Sequence, residues 1–167
     1  MVVDTNVIVV ADERHEQATD ACTARCQARL HEIMQSGCVI VDDRYLILGE
    51  YGKQFTEHAG QPTVGSAFYK WLLQRQGVAS CCQRVSLTAG KGEHVFTEYP
   101  DLPALADFDP PDRKFIAVAA AHPERPAILQ ALDSKWWGLR EAFEQAGLTI
   151  EFLCEDQISD IYAKKFP

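Results

Sequence analysis

Short apolar runs rich in β-branched residues alternate along this chain with longer segments of helical composition. Runs of this kind, separated by helices, predict an α/β fold: a mainly parallel sheet covered by helices on both faces. The 167 residues suit one domain, 1–167. Ligands of such sheets bind beyond the carboxyl ends of the strands. Residues that directly follow a strand are therefore the first candidates for a functional site.

Glycines and capping residues set the predicted bounds of the elements. Gly37, Gly77 and Gly147 each follow a helical segment, where glycine favours the end of a helix. Asp42 or Asp43 is expected to cap the helix after the second strand. The predicted strands are 1–3 or further, 38–41, 82–87, 127–132 and 149–153, and the predicted helices are 13–35, 44–55, 63–76, 112–122, 136–145 and 154–165, with a long loop over 88–111.

Composition limits the classes of function. No apolar run approaches the roughly 18 residues of a membrane span, and no basic segment precedes the N-terminal apolar stretch as in a secretory signal. We therefore expect a cytoplasmic protein that does not enter a membrane. The net charge of −8 counts against a protein that coats DNA or RNA through a broad basic surface. It does not exclude a metal-dependent enzyme, because bound divalent ions reverse the local sign of charge.

The six cysteines allow either disulfides or free thiols. A chain of this size without a secretory signal is expected to keep its thiols reduced. A structural zinc site usually needs two close cysteine pairs, or a cysteine pair with a histidine pair, and the sequence has neither. Free thiols are the expectation.

Four acidic residues fall where a ligand site is expected. Asp4 interrupts a β-branched apolar run, and a buried charge is costly unless it is paired or binds a metal. Asp133 directly follows a predicted strand, Asp112 begins a predicted helix, and Glu50 lies beside apolar residues of another helix. Taken singly, Asp112 could serve the helix dipole, Asp133 could start a turn, and Glu50 could be solvated. Together, the four could converge at one edge of a parallel sheet.

The motifs that carry these acids resemble, in order, those of PIN-domain nucleases, a group that includes the VapC-type toxins of bacterial toxin–antitoxin pairs. The resemblance covers nearly the whole chain. It implies a three-layer α/β/α sandwich around a five-stranded, mainly parallel sheet of strand order 3-2-1-4-5. It also implies that the segment 7–11 begins a helix, although its composition is that of a strand. The motifs are Asp4-Thr5-Asn6, Leu48-Gly49-Glu50-Tyr51, the segment from Asp112 to Ala119, and Asp133-Ser134-Lys135-Trp136.

The resemblance further implies a metal-dependent ribonuclease. Clustered carboxylates raise one another's pKa, and Mg²⁺ or Mn²⁺, which prefer carboxylate and water oxygens, would relieve that repulsion. Such ions activate water for hydrolysis of a phosphodiester and stabilise the leaving oxygen. The implied catalytic and metal-binding residues are Asp4, Glu50, Asp112 and Asp133, and Thr5 or Asn6 would orient water or a ligand carboxylate.

One position departs from the family pattern. Lys135 stands two residues after Asp133, where many relatives carry a further acid or an asparagine. A lysine there would lower the negative charge of the site and weaken a second metal, and Asp109 could supply a compensating carboxylate.

The resemblance also suggests the partners. RNA is the expected substrate, a small antitoxin protein would bind a toxin, and homodimers are common in the group. Basic residues near the predicted edge could contact phosphates, although an ordinary solvated surface explains them equally well. They are Arg44, Lys53, Arg113, Lys114 and Lys135.

Two other functions fit parts of the sequence. With Lys135 in the site, the fold could serve as a binding or scaffolding module without strong catalysis. The opening Asp4-Thr5-Asn6-Val7 also resembles that of haloacid-dehalogenase-type phosphatases. Their chemistry needs a second Asp where Asn6 stands, which makes that alternative the weaker one.

Overall fold

The computed structural model describes residues 1–56, 62–92 and 94–166. Helices and short parallel strands alternate along these residues, which confirms the predicted α/β class. The strands are β1 Val2–Val3, β2 Val39–Asp42, β3 Cys82–Val85, β4 Ile128–Gln130 and β5 Ile150–Phe152; the helices are α1 Thr5–Ala11, α2 Asp20–Ser36, α3 Leu46–Thr56, α4 Val64–Arg75, α5 Arg113–Ala121, α6 Ser134–Gly138, α7 Arg140–Gln145 and α8 Glu155–Lys165, with single 3₁₀ turns at Pro103–Leu105 and Pro110–Asp112.

The described strands form two parallel sheets, one of order β1-β4-β5 and one that pairs β2 with β3. Backbone hydrogen bonds join the neighbouring edges of the two sheets. The amide of Ile40 in β2 donates to the carbonyl of Met1 at 2.8 Å, and the amino terminus donates to the carbonyl of Cys38 at 2.8 Å. Four of the five strands are shorter than predicted, because their apolar runs continue past the paired residues, whereas β2 has the predicted length.

The segment after β1 is a helix, as the family resemblance implied; extending the first strand beyond Val3 on composition is wrong. Asp4 caps α1, and its Oδ1 accepts a hydrogen bond from the amide of Asn6 at 2.8 Å. Val7, Ile8 and Val10 of this helix are fully buried. Packing of these side chains outweighs the weak helix preference of β-branched residues.

Asp42, at the end of β2, fixes the start of α3. Its two carboxylate oxygens accept hydrogen bonds from the amides of Leu46 at 2.8 Å and Ile47 at 2.9 Å. The side chain is fully buried, so these bonds offset the loss of its hydration. Further along α3, the Tyr51 hydroxyl donates to the carbonyl of Val3. The neighbouring residue Glu50 is thereby held beside the end of β1.

Two predicted helices differ from the structure. The one over 13–35 begins only at Asp20, after Thr19 caps α2, so that residues 13–19 form a loop. The one over 136–145 is divided at Leu139 into α6 and α7. Trp136 of α6 is fully buried, and its ring centroid lies 5.0 Å from that of Phe108 and 5.2 Å from that of Phe143. These aromatic contacts hold α6 against the core.

The expectation of free thiols is wrong for two of the six cysteines. Cys22 and Cys154 form a disulfide across a sequence separation of 132 residues. The fold brings the first turn of α2 beside the residue that precedes α8, with the two Cα atoms 5.3 Å apart. The Cys26 sulfur lies 4.0 Å from that of Cys154, and burial raises the pKa of this thiol to about 12. None of the helices that the structure describes combines the length and apolarity that crossing a membrane requires.

Candidate functional site

Asp4 lies at the carboxyl end of β1 and is almost fully buried, with 4% of its surface exposed. Burial raises the pKa of its carboxyl well above the usual range, and the carboxylate of Asp112 raises it further. The hydrogen bond from the amide of Asn6 opposes this, while Glu50 and Asp133 add to it. The buried carboxylate therefore lies within electrostatic range of the other three predicted acids.

Asp112 lies where the 3₁₀ turn Pro110–Asp112 leads into α5, and it is partly buried. Its side chain makes no capping hydrogen bond to the helix, so capping does not account for this carboxylate. Burial raises its pKa to about 6, Asp133 contributes to the rise, and Lys114 opposes it. The charged group with the largest effect on the pKa of Asp112 is therefore Asp133, another predicted site residue.

Glu50 has a partner on each carboxylate oxygen. The hydroxyl of Thr5 donates to its Oε1, and the ammonium of Lys114 forms a salt bridge with its Oε2. Lys114 is itself buried, with 4% exposed, and it also donates to the carbonyl of Pro111. Thr5 thus orients a candidate ligand carboxylate, one of the two roles that the sequence suggested for it.

Asp133 follows β4 and caps α6, accepting a hydrogen bond from the amide of Lys135 at 2.9 Å. Asp133 therefore starts a helical turn, which agrees with one of the two interpretations of the sequence. Its charge also raises the pKa of Asp4 and of Asp112, so it lies near both. The Asn6 carboxamide oxygen accepts from the amide of Leu132 at 2.7 Å. Asn6 thereby ties α1 to the chain segment that carries Asp133.

Asp109 forms a salt bridge with Lys135 at the exposed rim of the site. The hydrogen bond that the Lys135 ammonium donates to Asp109 raises the pKa of that ammonium. The carboxylate predicted to compensate for Lys135 is thus in direct contact with it.

The donor set suits a hard divalent cation. The charges of the four carboxylates affect the pKa values of Asp4 and Asp112. A set of oxygen ligands with this much negative charge favours Mg²⁺ or Mn²⁺. Among the described residues, one group of three His, Cys, Asp or Glu ligand atoms lies within 4.8 Å of one another: Cys22, Cys26 and Cys154. Two of these sulfurs are joined in the disulfide. No three of the described carboxylates lie this close together, so binding an ion would draw them together.

Several basic residues predicted to contact phosphates have other partners. Arg113 donates to the carbonyls of Phe108 and Ala106, Lys114 is buried against Glu50, and Lys135 pairs with Asp109. Arg44 is exposed, and Lys53 lies in the last turn of α3.

Sequence reasoning missed an open groove beside the acidic site. It has a volume of about 890 Å³ and is lined by Asn6 and Asp133, by the loop that contains His15, and by α8 with its terminal Lys164 and Lys165. The adjacent lysines at the end of the last predicted helix were the available signal. Their proximity to Asp133 depends on the tertiary fold.

Fold and site together define a parallel α/β protein with a cluster of acidic residues at the carboxyl ends of β1 and β4. Comparison of the chain with protein-family models, with curated proteins and with solved structures gives no match.

Proposed function

We propose that this protein is a Mg²⁺- or Mn²⁺-dependent phosphodiesterase, an endoribonuclease of PIN-domain type. The observation that carries the proposal is Asp4, a nearly buried carboxylate whose pKa is raised by burial and by three further carboxylates. A folded chain keeps such an arrangement at a cost in stability. A divalent cation would remove that cost, and strained, charged clusters of this kind concentrate at functional sites.

The proposed fold is a single five-stranded sheet of order 3-2-1-4-5 within three layers. Two observations support the continuity of the sheet. First, backbone hydrogen bonds join Met1, just before β1, to Cys38 and to Ile40 of β2. Second, α5 contacts β1, β2 and β4. One helix thus packs across strands of both described sheets.

The proposed ligands are Asp4, Glu50, Asp112 and Asp133. A bound Mg²⁺ or Mn²⁺ would supply a water of lowered pKa and charge stabilisation for the leaving oxygen. Asp4 and Asp112, deprotonated when the ion binds, provide the negative charge that holds it. Thr5 and Lys114 keep Glu50 in one orientation, and Asn6 keeps the segment before Asp133 in place.

A toxin–antitoxin role follows from the family resemblance. In that case, a small antitoxin protein would bind this protein, and a homodimer would be its working form. The open acidic site offers a place for a basic side chain of such a partner.

A scaffolding function is the second candidate, and the salt bridges of the two lysines favour it. Lys114 already neutralises Glu50, and Lys135 neutralises Asp109. A site balanced by its own lysines has less need of a cation. Affinity for Mn²⁺ separates the two candidates, because the scaffold needs none.

The test combines metal binding with RNA cleavage. Purified protein is titrated with MnCl₂ by calorimetry, and cleavage of an end-labelled, mixed-sequence single-stranded RNA is followed with Mn²⁺, with Mg²⁺ and with EDTA. We expect cleavage that EDTA abolishes, and a loss of at least about 100-fold for Asp4→Asn, because the amide keeps the shape but removes a ligand charge.

Asp101→Asn is the matched control, since Asp101 is exposed and lies outside the acidic site. It should cleave like the wild type. Full activity of Asp4→Asn, or cleavage in EDTA, would contradict the nuclease proposal. A wild type that neither binds Mn²⁺ nor cleaves would favour the scaffold.

A further inference from the structure

The groove between α8 and the loop 13–19, here named the α8 groove, opens directly onto the acidic site. Asn6 and Asp133 line both. His15 and Gln17 of the loop and Lys164 and Lys165 of α8 line the groove as well. Pockets of roughly 300–1,000 Å³ hold a drug-sized ligand. At about 890 Å³, the groove has room for about two nucleotides.

The two walls of the groove are fixed to each other. The Gln157 side chain of α8 accepts hydrogen bonds from the Thr19 amide at 3.2 Å and the Thr19 hydroxyl at 3.0 Å. Its amide nitrogen donates to the carbonyl of Gln17. The disulfide between Cys22, in the first turn of α2 after this loop, and Cys154, just before α8, joins the adjoining segments. A groove formed in advance loses little entropy when a strand enters it.

Two lysines of α8 bring positive charge to the groove. Lys164 and Lys165 are exposed, and the salt bridges among the described residues involve neither, although the Lys165 ammonium lies 5.6 Å from the centroid of the Phe166 ring. Asp160 also lines the groove and offsets part of this charge. Both lysines share the groove with Asp133, and lysines beside a metal site are suited to hold the phosphates of a strand that enters it.

His15 offers an aromatic surface in the groove. Its Nδ1 accepts a hydrogen bond from the amide of Gln17 at 3.3 Å, which leaves the proton of the neutral ring on Nε2. Burial lowers the pKa of this imidazole, against the opposing effect of Asp133. A neutral ring in the groove suits a base better than a phosphate, because bases stack on aromatic side chains.

We propose that the α8 groove binds single-stranded RNA, with Lys164 and Lys165 on successive phosphates and His15 against a base, and leads the strand to the acidic site. The choice of RNA rests on the proposed nuclease function. Basic grooves with stacking side chains are typical of proteins that bind single strands.

The first test measures binding with cleavage blocked. Fluorescence anisotropy of a labelled RNA of about eight nucleotides is recorded in EDTA over a series of salt concentrations. Loss of two phosphate contacts should reduce the slope of log affinity against log salt by about 1.4 and weaken binding by about 25-fold at about 0.1 M salt. This is the expected result for the double variant Lys164→Gln/Lys165→Gln.

The control is Lys70→Gln/Arg75→Gln, which removes the same charge from exposed positions of α4, outside the groove. It should leave affinity and slope nearly unchanged. Equal losses in both double variants would overturn the proposal, because they would reflect net charge alone. Unchanged affinity of Lys164→Gln/Lys165→Gln would overturn it as well.

The second test concerns the ring of His15. His15→Ala should weaken binding at least about fivefold, and His15→Phe should restore it, because stacking needs a ring and not an imidazole. Failure of the phenylalanine to restore affinity would overturn the role given to His15.

The groove and the nuclease can fail separately. If the wild type cleaves RNA and Lys164→Gln/Lys165→Gln leaves KM unchanged, the groove proposal is overturned and the nuclease stands. If the wild type binds RNA through these lysines but cleaves none with any metal, the groove is supported and the nuclease proposal fails. A wild type that does not bind the RNA overturns the groove proposal.

Discussion

Reduction of the disulfide between Cys22 and Cys154 should lower the free energy of unfolding by up to about 5 kcal/mol at 25 °C. The magnitude follows from the loop that the bond closes, which spans a sequence separation of 132 residues. In the chain-entropy description, a crosslink across a loop of this length removes about 17 cal/mol/K of entropy from the unfolded state. Typical domains are stable by about 5–15 kcal/mol, so the bond would account for a large share.

The folded state should survive reduction, because other contacts hold α8. Gln157 keeps its hydrogen bonds to Thr19 and Gln17, and Ile158 is fully buried in the core. Reduction therefore acts mainly on the unfolded chain. A larger surface exposed on unfolding should also raise the denaturant slope m.

Urea unfolding with and without reductant measures the effect, with tryptophan fluorescence as the signal, since Trp136 is fully buried. The double variant Cys22→Ala/Cys154→Ala is the control and should not respond to reductant. Single variants are unsuitable, because the Cys26 sulfur is 4.0 Å from that of Cys154 and could replace its partner. A thiol titration in denaturant should find four thiols before reduction and six after it.

Three results would refute this reasoning. One is six titratable thiols in protein purified without reductant and oxidised in air, since the disulfide would then not form. Another is a reductant-sensitive unfolding curve in Cys22→Ala/Cys154→Ala, which would assign the effect to a different pair of cysteines. Coincident curves for the wild type with and without reductant would show that the bond contributes no stability.

Two further predictions concern the acidic site. In EDTA, the melting temperature should fall as pH rises from about 4 to about 6, because the carboxyl of Asp112 has a pKa of about 6 in the folded chain and about 4 when unfolded. The folded state therefore binds more protons than the unfolded state in this pH window. Asp112→Asn should flatten that part of the curve of melting temperature against pH. A melting temperature that rises over this window instead would contradict the raised pKa of Asp112. Lys114→Met should lower the free energy of unfolding by about 2–3 kcal/mol, because it leaves Glu50 without its buried partner. The Lys135 side chain is 53% exposed, so Lys135→Met should lower it by less than about 1 kcal/mol. Equal losses in urea unfolding would show that burial of the Lys114 pair has no energetic consequence.

Local signals in the sequence predicted much of the framework. Gly37 ends α2, Thr63 caps α4 and Asp42 caps α3, because these residues act on the backbone within a few positions. Polar residues that follow a strand pointed to Asp4 and Asp133 for the same reason. The structure brings both near Asp112 and Glu50, and their catalytic role stays a prediction.

The features that the sequence did not yield depend on distant contacts. Composition alone did not predict α1, which is built from strand-favouring residues; the family resemblance implied it, and the cap at Asp4 and burial on the core explain its form. The pairing of Cys22 with Cys154 needs two elements 132 residues apart to meet. The burial of Lys114 beside Glu50 and the approach of α8 to Asp133 likewise follow from packing, which periodicity along the chain does not encode.

The two lysines of the site suggest how an enzyme could work with this set of carboxylates. Lys114 neutralises Glu50 from within the core, and Lys135 neutralises Asp109 at the rim. Within the described residues neither Asp4 nor Asp112 has a salt bridge, and burial raises the pKa of both. In the proposed enzyme, the need for a cation would therefore be concentrated at Asp4 and Asp112. One divalent ion there, with the Lys114 ammonium in the place of a second, would balance the charge. The departure from the family pattern at Lys135 is then compatible with catalysis, because its charge is already taken up by Asp109.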